Sequence, residues 1–484
     1  MLFNSTEFIF FFTLVFFSYW FLFSKSNQFQ NILILFSSYL FYAWWDLRFL
    51  ILIIISSLTD FLAGIFIQKN KKKKQRKSIL FISLFTNLGI LFCFKYFNFF
   101  IDNFLMVLKS FNISTNIEFI EIILPIGISF YTFQSLSYTI DVYNKKINAT
   151  NNIIAFFAFV SFFPQLVAGP IERAKNLLPQ FCKPRVFDYE FALSGCKLIL
   201  IGLFKKMVIA DSLSIVVDMI YANPADYLGL PTLIATVFFA FQIYCDFSGY
   251  SDIAIGLARL LGFKLMLNFE TPYFSKSLSE FWRRWHISLS SWFRDYVYIP
   301  LGGSRVSETK VSFNIMVTFL LSGLWHGANW TFIMWGALHG LVVVIEKQIL
   351  TVTNHLKNNF VIDFMKISLT FSFVCITWIF FRSETIYDAF LIFNNLFIDI
   401  ASYTNYEEIS LKFRGIGLKP SDMVYCLALI IFLITIEIVT KNNKILNNLK
   451  NKKLFIVAFY YILLIFILIF GTQNSANNFI YFQF

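Results

Sequence analysis

Long apolar stretches recur along this chain and restrict its fold more than any other feature. Residues 8–23, 49–67 and 454–470 are examples, and each is close to the ~20 apolar residues that an α-helix needs to cross a lipid bilayer. Inside the bilayer a segment must satisfy its own backbone hydrogen bonds, which an α-helix does. The stretches therefore predict an all-α membrane protein that crosses the bilayer many times, with roughly eleven to thirteen helical segments.

The composition agrees with this class and bears on possible partners. Of the 484 residues, 58% are hydrophobic and only 14% are charged, which is typical of a polytopic membrane protein. The net charge of +12 could indicate a nucleic-acid partner, but cytoplasmic loops of membrane proteins also collect lysine and arginine. We favour the second explanation, and expect membrane lipid but no nucleic acid among the partners.

Two basic segments predict the topology. Residues 69–77 and 441–453 contain seven and five basic residues and no acidic ones, so both should be cytoplasmic loops. One apolar stretch follows the second segment and would deliver the end of the chain to the outer face. We therefore divide the chain into a membrane domain, residues 1–470, and an extracytoplasmic tail, residues 471–484.

Two other segments are too polar to cross the bilayer as ordinary helices. Residues 277–303 place arginines and aromatic residues around His286, a pattern typical of a helix that lies at an interface or lines a cavity. Residues 241–263 place aspartates and glycines in an apolar setting. Such a composition predicts a broken or re-entrant helix, which is tolerated where protein or water covers the backbone.

Two of the four histidines lie in one apolar, tryptophan-rich stretch, residues 321–340. An ionisable side chain at membrane depth is costly and usually marks function, which makes His326 the first candidate. Gly327 and Asn329 should interrupt the helix before His339, for which packing is a sufficient explanation. The two histidines are about 3.6 helical turns apart, and the six cysteines are scattered without a CxxC pair. We therefore predict no metal and no bound cofactor.

Four long strings occur in an order that resembles the membrane-bound O-acyltransferase (MBOAT) family. They read AGPIERA, YCDFSGYSDIAIGLARLLGF, FWRRWHISLSSWFRDYVYIPLGGSR and SGLWHGANWTFIMWGALHG. The likeness extends over nearly the whole chain and is strongest to a bacterial branch, which acts in O-acetylation of alginate and peptidoglycan and in D-alanylation of teichoic acids. It implies a ring of about 11–13 tilted transmembrane and re-entrant helices around a central tunnel.

The resemblance also implies the site residues. His326 matches the catalytic histidine of the family and His286 the second histidine of the branch, and both would line the tunnel between a cytosolic thioester donor and a hydroxyl acceptor. Imidazole has the near-neutral pKa that a base for the hydroxyl needs. The developing oxyanion needs hydrogen-bond donors, for which His286, Asn329 and Trp285 are all candidates. The substrate-binding candidates are Trp285, Trp325 and Asn329, together with Arg283 and Arg284. By the same resemblance these arginines and Lys205 or Lys206 could meet donor phosphates, although topology explains them equally well.

The last six residues, FIYFQF, resemble the C-terminal acyl-shuttle hexapeptide of this branch, in which a central tyrosine accepts the acyl group outside the membrane. The resemblance makes Tyr481 a third catalytic candidate. A tyrosyl ester is a better acyl donor than an alkyl ester because phenol, with a pKa of about 10, leaves more readily. A frayed hydrophobic end is the alternative, although exposed aromatic residues at a free terminus are costly.

These observations predict an acetyltransferase of the bacterial inner membrane. We expect acetyl-CoA as the donor substrate, Tyr481 as the relay, and a separate exported serine O-acetyltransferase of the SGNH type as the partner. The final acceptor would be a cell-envelope glycan. Heavy use of Phe, Ile, Asn and Lys indicates an AT-rich genome, which favours peptidoglycan over alginate.

Several alternatives remain open at this stage. Within the same class, the chain could serve O-acetylation of alginate or another exopolysaccharide, or, less readily, transfer of D-alanine. A transporter of a lipid-linked sugar would also use broken helices and polar residues at the bilayer midplane, but it should tolerate Tyr481→Phe. A scaffold for the exported partner should tolerate His326→Ala.

Overall fold

The computed structural model describes residues 1–113, 123–167, 169–350, 359–398, 420–441, 453–471 and 479–480. Every regular element among these residues is a helix, and none is a strand. Six of the helices are long and apolar enough to cross a membrane: Leu47–Lys69, Lys73–Ser110, Leu230–Leu260, Trp330–Ile349, Phe360–Arg382 and Ser421–Val439. The predicted class, an all-α polytopic membrane protein, is confirmed. The larger number of segments predicted from the sequence includes shorter apolar helices such as Ile456–Phe470.

The chain forms two compact units. The first comprises residues 1–199 and 253–267, and the second comprises residues 200–252 and 268–484. Helices α1 to α10 begin in the first unit, and their bounds are Thr6–Phe17, Asn27–Ala43, Leu50–Lys69, Lys73–Leu91, Phe97–Ser110, Ile128–Tyr143, Ile153–Ser161, Phe163–Leu166, Ala174–Cys182 and Tyr189–Leu203.

A buried carboxylate links three helices of the first unit. Asp60 of α3 is fully buried and accepts hydrogen bonds from Ser83 and Asn87 of α4 and from Thr139 of α6. A buried carboxylate is tolerated when several donors replace its water shell. This cluster ties three helices together through polar bonds, which an apolar bilayer strengthens relative to water.

The second unit carries the predicted site residues. Its helices α11 to α20 have the bounds Asp211–Ala222, Leu230–Leu260, Leu278–Arg284, Ile287–Phe293, Glu308–His326, Trp330–Leu350, Phe360–Arg382, Ile386–Asn395, Pro420–Lys441 and Lys453–Phe470. Helix α12 contributes residues 230–252 to this unit. A single apolar cluster joins these helices and includes Phe239, Trp285, Trp335 and Trp378.

Two glycines let α15 and α16 pack closely as a hairpin. A Cβ atom on Gly323 would lie 2.3 Å from the carbonyl oxygen of Phe332, and one on Gly336 would lie 2.4 Å from that of Phe319. No side chain fits at such distances, so the two backbones can touch only because these positions are glycine. The hairpin turn, residues 327–329, follows His326 directly, as the sequence predicted.

Two local expectations were wrong. Helix α12 runs unbroken for 31 residues because its aspartates pair with lysines inside the protein: Asp252 with Lys205 at 2.8 Å, and Asp246 with Lys206 at 2.6 Å. The basic segment 69–77 is also only partly a loop, since α4 already begins at Lys73. Lysine and arginine are good helix formers, and they extend the helix beyond its apolar part.

Candidate active site

His286 lies at a break between two short helices of the second unit. Helix α13 ends at Arg284 and α14 begins at Ile287, and His286 adopts the left-handed conformation, with φ 42° and ψ 53°. Two backbone hydrogen bonds hold the break against the preceding loop: Ile287 N–H to Asn268 at 2.9 Å, and Glu270 N–H to the carbonyl of Arg284 at 2.9 Å. The break therefore turns the His286 side chain out of the helical path.

The start of α13 is fixed by a neighbouring carboxylate. Glu346 of α16 accepts hydrogen bonds from the backbone N–H groups of Leu278 at 2.6 Å and Ser279 at 3.1 Å, and Ser277 caps the same turn by accepting from Glu280 N–H. A carboxylate at a helix N-terminus satisfies donors that have no partner within the helix. Helix α13 is thereby anchored to the hairpin that carries His326.

Asn268 orients the His286 ring, and sequence reasoning missed it. Its side-chain oxygen lies 3.1 Å from His286 Nδ1, 3.3 Å from the backbone nitrogen of Ser288 and 2.9 Å from Ser288 Oγ. Its amide nitrogen donates to Ser251 Oγ at 3.1 Å. Asn268 is 1% exposed and lies in a loop 18 residues before the histidine. No spacing rule links a loop asparagine to a histidine at that distance.

The hydrogen-bond pattern fixes which nitrogen of His286 carries the proton. The backbone N–H of Ser288 can only donate, so the Asn268 atom that it faces is an acceptor oxygen. His286 Nδ1 must then donate to that oxygen, which leaves the lone pair of the neutral ring on Nε2. Burial lowers the pKa of His286 to about 3, so the ring is neutral at physiological pH. In this state Nε2 accepts a proton rather than donating one.

His326 ends α15 and lies beside His286. The two ring centroids are 6.4 Å apart, and the side chains are 0% and 3% exposed for His286 and His326 respectively. His326 contacts the rings of Trp325 and Trp335, each at 5.0 Å, and that of Phe381 at 5.4 Å. Two imidazoles in an apolar, water-poor enclosure can perform acid–base chemistry, since neutral imidazole is a base of moderate strength.

Aromatic residues enclose this histidine pair. Phe247 of α12 packs edge-to-face against His286 at 4.6 Å, and Trp325 lies 6.0 Å from the same ring. Trp285 is fully buried and packs against Trp378 at 5.1 Å and Phe269 at 5.0 Å. Trp325 is therefore in contact with both histidines, whereas Trp285 packs against Phe269, which in turn contacts His286.

His339 has a structural role in this arrangement. Trp282 Nε1 lies 3.3 Å from its Nδ1, and Thr377 Oγ1 lies 3.0 Å from its Nε2. Both ring nitrogens thus bond to buried side chains, which accounts for the histidine without chemistry. Within the ranges that the structure describes, no group of three or more His, Cys, Asp or Glu side chains could hold a metal ion.

The remaining substrate-binding candidates are more exposed than the two histidines. Arg284 pairs with Glu280 on its own helix. Asn329 donates to the carbonyl oxygen of Glu384 at 2.8 Å and accepts from Thr331 N–H at 3.0 Å, so its side chain shapes the hairpin turn. Arg283 is exposed and faces a cavity. The predicted roles of these residues in binding substrate stay predictions.

That cavity has a volume of about 790 Å³ and opens beside α13. Its lining combines apolar and aromatic surface with three cationic side chains, Arg283, Arg294 and Lys347. Trp282 also lines it and packs against Trp335 at 5.5 Å, and Trp335 contacts His326. The indole rings of Trp282 and Trp335 thus connect the lining of the cavity to His326.

A buried ion cluster contacts the end of the described chain near Phe247. Lys206 bonds to Asp211 at 2.9 Å and to Asp246 at 2.6 Å, and the backbone N–H of Ile480 donates to Asp246 at 2.7 Å. The sequence suggested Lys205 or Lys206 for donor phosphates, and both lysines instead pair with aspartates of α12. The cluster itself was not predicted, because Ile480 lies 234 residues after Asp246. Tyr481 lies outside the described residues, so its predicted role stays a prediction.

Comparison with known proteins shows which family the sequence matches. The sequence profile of MBOAT, the membrane-bound O-acyltransferase family, matches residues 34–387, a range that contains His286 and His326. The chain is 42% identical to the probable alginate O-acetylase AlgI of Pseudomonas putida over 82% of this chain and 80% of that protein.

Two further relatives come from other cell-envelope systems. The chain is 34% identical to the peptidoglycan O-acetyltransferase of Helicobacter pylori, over 80% of this chain and 78% of that protein. It is 30% identical to the teichoic acid D-alanyltransferase of Streptococcus thermophilus, over 46% of this chain and 56% of that protein. All three relatives transfer an acyl group according to their names, and the two longer matches are O-acetylating proteins.

Proposed function

Because the chain belongs to the membrane-bound O-acyltransferase family and is a membrane O-acetyltransferase of the alginate and peptidoglycan type, we propose that it relays an acetyl group from a cytoplasmic thioester to a cell-envelope glycan through Tyr481. The observation that carries this proposal is the pair of buried rings, His286 and His326, with centroids 6.4 Å apart. Of the two, His326 is the proposed base.

The first step forms an ester on the tail. His326 takes the proton of the Tyr481 hydroxyl while the phenolic oxygen attacks the thioester carbonyl. The tetrahedral intermediate then collapses, the carbon–sulfur bond breaks, and the proton passes from His326 to the departing thiolate. One ester forms and one thioester is consumed, so no other reactant is needed. Exclusion of water by the aromatic enclosure would protect the acyl group from hydrolysis.

His286 assists this step through its tautomer. A lone pair on Nε2 suits a hydrogen bond to a hydroxyl or to the protonated partner histidine, and it makes the neutral ring a poor donor to an oxyanion. We therefore assign His286 to proton acceptance or positioning. Trp325, whose indole N–H can donate, is the stronger candidate to meet the developing negative charge.

We assign acetyl-CoA as the donor, with the cavity beside α13 as its entry. Arg283, Arg294 and Lys347 would meet its phosphates, for which arginine is especially suited by its planar, bidentate geometry. The apolar wall of the cavity, which includes Trp282 and Phe319, would hold the rest of the donor. Arg284 is engaged with Glu280 and is the weaker candidate for phosphate.

The second step uses the exported partner. The tyrosyl ester passes its acetyl group to the serine of a separate SGNH-type transferase, which then esterifies the glycan. We place the chain in the bacterial inner membrane with its C-terminus outside the cytoplasm, as this step requires. Peptidoglycan remains our proposed acceptor, and the 42% identity to a probable alginate O-acetylase favours alginate or another exopolysaccharide as the second candidate.

Intact-mass analysis of the C-terminal peptide tests the proposal. Protein purified with acetyl-CoA, from cells that lack the exported partner, should carry one acetyl group on Tyr481. Tyr481→Phe and His326→Ala should both abolish the adduct, whereas Tyr461→Phe, an exposed tyrosine of α20, should leave it in place. Absence of the adduct from the wild-type protein would refute the relay and return direct transfer or transport of a lipid-linked sugar to consideration.

A further inference from the structure

The last described residues, Phe479 and Ile480, are packed into the second unit. They are 0% and 4% exposed, and Ile480 belongs to the same apolar cluster as Trp285 and Trp335. The backbone N–H of Ile480 donates to Asp246 Oδ2 at 2.7 Å in a buried setting. The chain end is thus held both by apolar packing and by a bond to a carboxylate.

The Phe479 side chain brings the tail near the histidine pair. Its ring packs against Tyr250 at 4.4 Å and against Phe247 at 5.8 Å, both on α12. Phe247 also contacts His286, at 4.6 Å. The docked tail and His286 therefore share one aromatic neighbour.

The carboxylate that receives the tail belongs to the Lys206 cluster. Lys206 Nζ bonds to Asp246 Oδ1 at 2.6 Å and to Asp211 Oδ1 at 2.9 Å, and the three side chains are only 2–6% exposed. One ammonium group serves two carboxyl groups, so the cluster needs further hydrogen-bond donors. Buried charge is stable only when further hydrogen bonds compensate it, and the Ile480 N–H supplies one to Asp246.

We propose that Asp246, held in place by Lys206, is a positioning residue that docks the C-terminal segment through the backbone of Ile480. This inference rests on the proposed relay, in which Tyr481, the next residue, receives the acetyl group. A bond to the backbone fixes the register of the segment, because it selects one residue position along the chain whatever the side chains are. The Phe479 ring then fixes its direction.

Removal of one backbone N–H tests the docking without changing the ion cluster. Proline has no N–H group, so Ile480→Pro deletes the donor, whereas Ile480→Val keeps the donor and most of the packing. Full-length protein in lipid nanodiscs is digested with a carboxypeptidase, and intact mass follows the release of the three residues after Tyr481, whose bonds do not involve position 480. A parallel sample with acetyl-CoA follows acetylation of Tyr481.

We expect Ile480→Pro to speed release of these three residues by about 10- to 100-fold, since a hydrogen bond to a charged group is lost, and to slow acetylation by a similar factor. Ile480→Val should stay within about threefold of wild type on both measures, a difference of under 1 kcal/mol.

Variants of Asp246 provide a second test of the docking. Asp246→Ala should behave like Ile480→Pro, and Asp246→Asn, which keeps an acceptor oxygen, should recover most of the protection. Asp252→Ala is the matched control, because it removes an aspartate from the same helix and breaks the Lys205 ion pair without touching the tail.

The outcomes separate this inference from the relay. Equal protection in wild type and Ile480→Pro would overturn the positioning role, whatever happens to the acetyl adduct. Lost protection in Ile480→Pro and Asp246→Ala, with no adduct even on wild type, would uphold the docking of the tail and refute the relay. Loss of protection together with loss of the adduct, in those two variants and not in the controls, supports both.

Discussion

Replacement of Asn268 by alanine should slow acetyl transfer by loosening the His286 ring. Asn268 Oδ1 is the acceptor for His286 Nδ1 at 3.1 Å, and without it the proton of the neutral ring is no longer confined to Nδ1. One such hydrogen bond contributes about 0.5–1.5 kcal/mol, and about 1.4 kcal/mol corresponds to a tenfold change in rate. We therefore expect kcat to fall by about 2- to 12-fold.

Asn268→Ala should also lower the stability of the protein, because two hydrogen-bond donors of Ser288 lose their acceptor. The Ser288 hydroxyl can rotate, and it already lies 3.4 Å from His286 Nδ1, so these two groups can bond to each other. The Ser288 backbone N–H cannot move and becomes an unsatisfied buried donor, which costs about 1–3 kcal/mol. The unfolding midpoint in detergent should fall accordingly.

Two matched variants make the test specific. Ser251→Ala removes the partner of the Asn268 amide nitrogen but leaves the bond to His286, so it should keep the wild-type kcat. Asn268→Asp keeps an acceptor and adds a negative charge, which raises the pKa of His286 and should move the acid limb of the pH–rate profile to higher pH. A folded Asn268→Ala protein with wild-type kcat would refute the tautomer argument.

Three further predictions concern stability. Because burial lowers the pKa of His286 to about 3, while an unfolded histidine titrates near 6.5, the unfolded state binds more protons between these values. The free energy of unfolding should fall below pH 6.5 by up to about 1.4 kcal/mol per pH unit. The unfolding midpoint should therefore drop less between pH 7 and pH 4 in His286→Gln than in the wild type, and an equal drop in the two proteins would contradict the argument. Gly249→Ala should destabilise the protein by about 1–3 kcal/mol, because its Cβ atom would lie 2.7 Å from the Gly202 carbonyl oxygen. Gly89→Ala, whose Cβ atom would have no atom within 4 Å, should not destabilise it. Equal unfolding midpoints for the two variants would contradict the packing argument. His339→Phe keeps an aromatic ring but removes the acceptor of the Trp282 indole N–H, whereas Thr377 keeps its bond to the Val374 carbonyl oxygen. The change should cost about 1–3 kcal/mol and leave the transfer rate of the folded protein within about threefold. A rate as low as that of His326→Ala would show that His339 takes part in the chemistry.

The features that the sequence predicted well are those with local causes. Apolar stretches gave the helical membrane class, and the glycine and asparagine after His326 gave the end of its helix. His326 was selected by the cost of placing an ionisable group in apolar sequence and His286 by the family resemblance, and the roles of both stay predictions. That the two rings meet could not come from local spacing, because 40 residues separate them and two helix breaks intervene.

The features that the sequence failed to predict depend on distant partners. Asp246 and Asp252 indicated a broken helix only because Lys205 and Lys206, about 40 residues earlier, could not be recognised as their counterions. Asn268 lies in a loop without any motif, and its role is visible only from its bonds to His286 and Ser288. Long-range pairing of polar groups is specified by the whole fold, and no local pattern contains it.

The left-handed backbone at His286 limits which residues evolution can place there. At φ 42° most side chains carry a steric penalty of about 1–2 kcal/mol, whereas glycine has none and asparagine, aspartate and histidine are enriched there. Glycine has no side chain that can hydrogen-bond, and a buried aspartate would place a charge in an apolar enclosure. Histidine and asparagine are thus the two residues that satisfy both the backbone and the hydrogen bonding. A search for distant homologues of this site should therefore accept either one at this position and require the helix break around it.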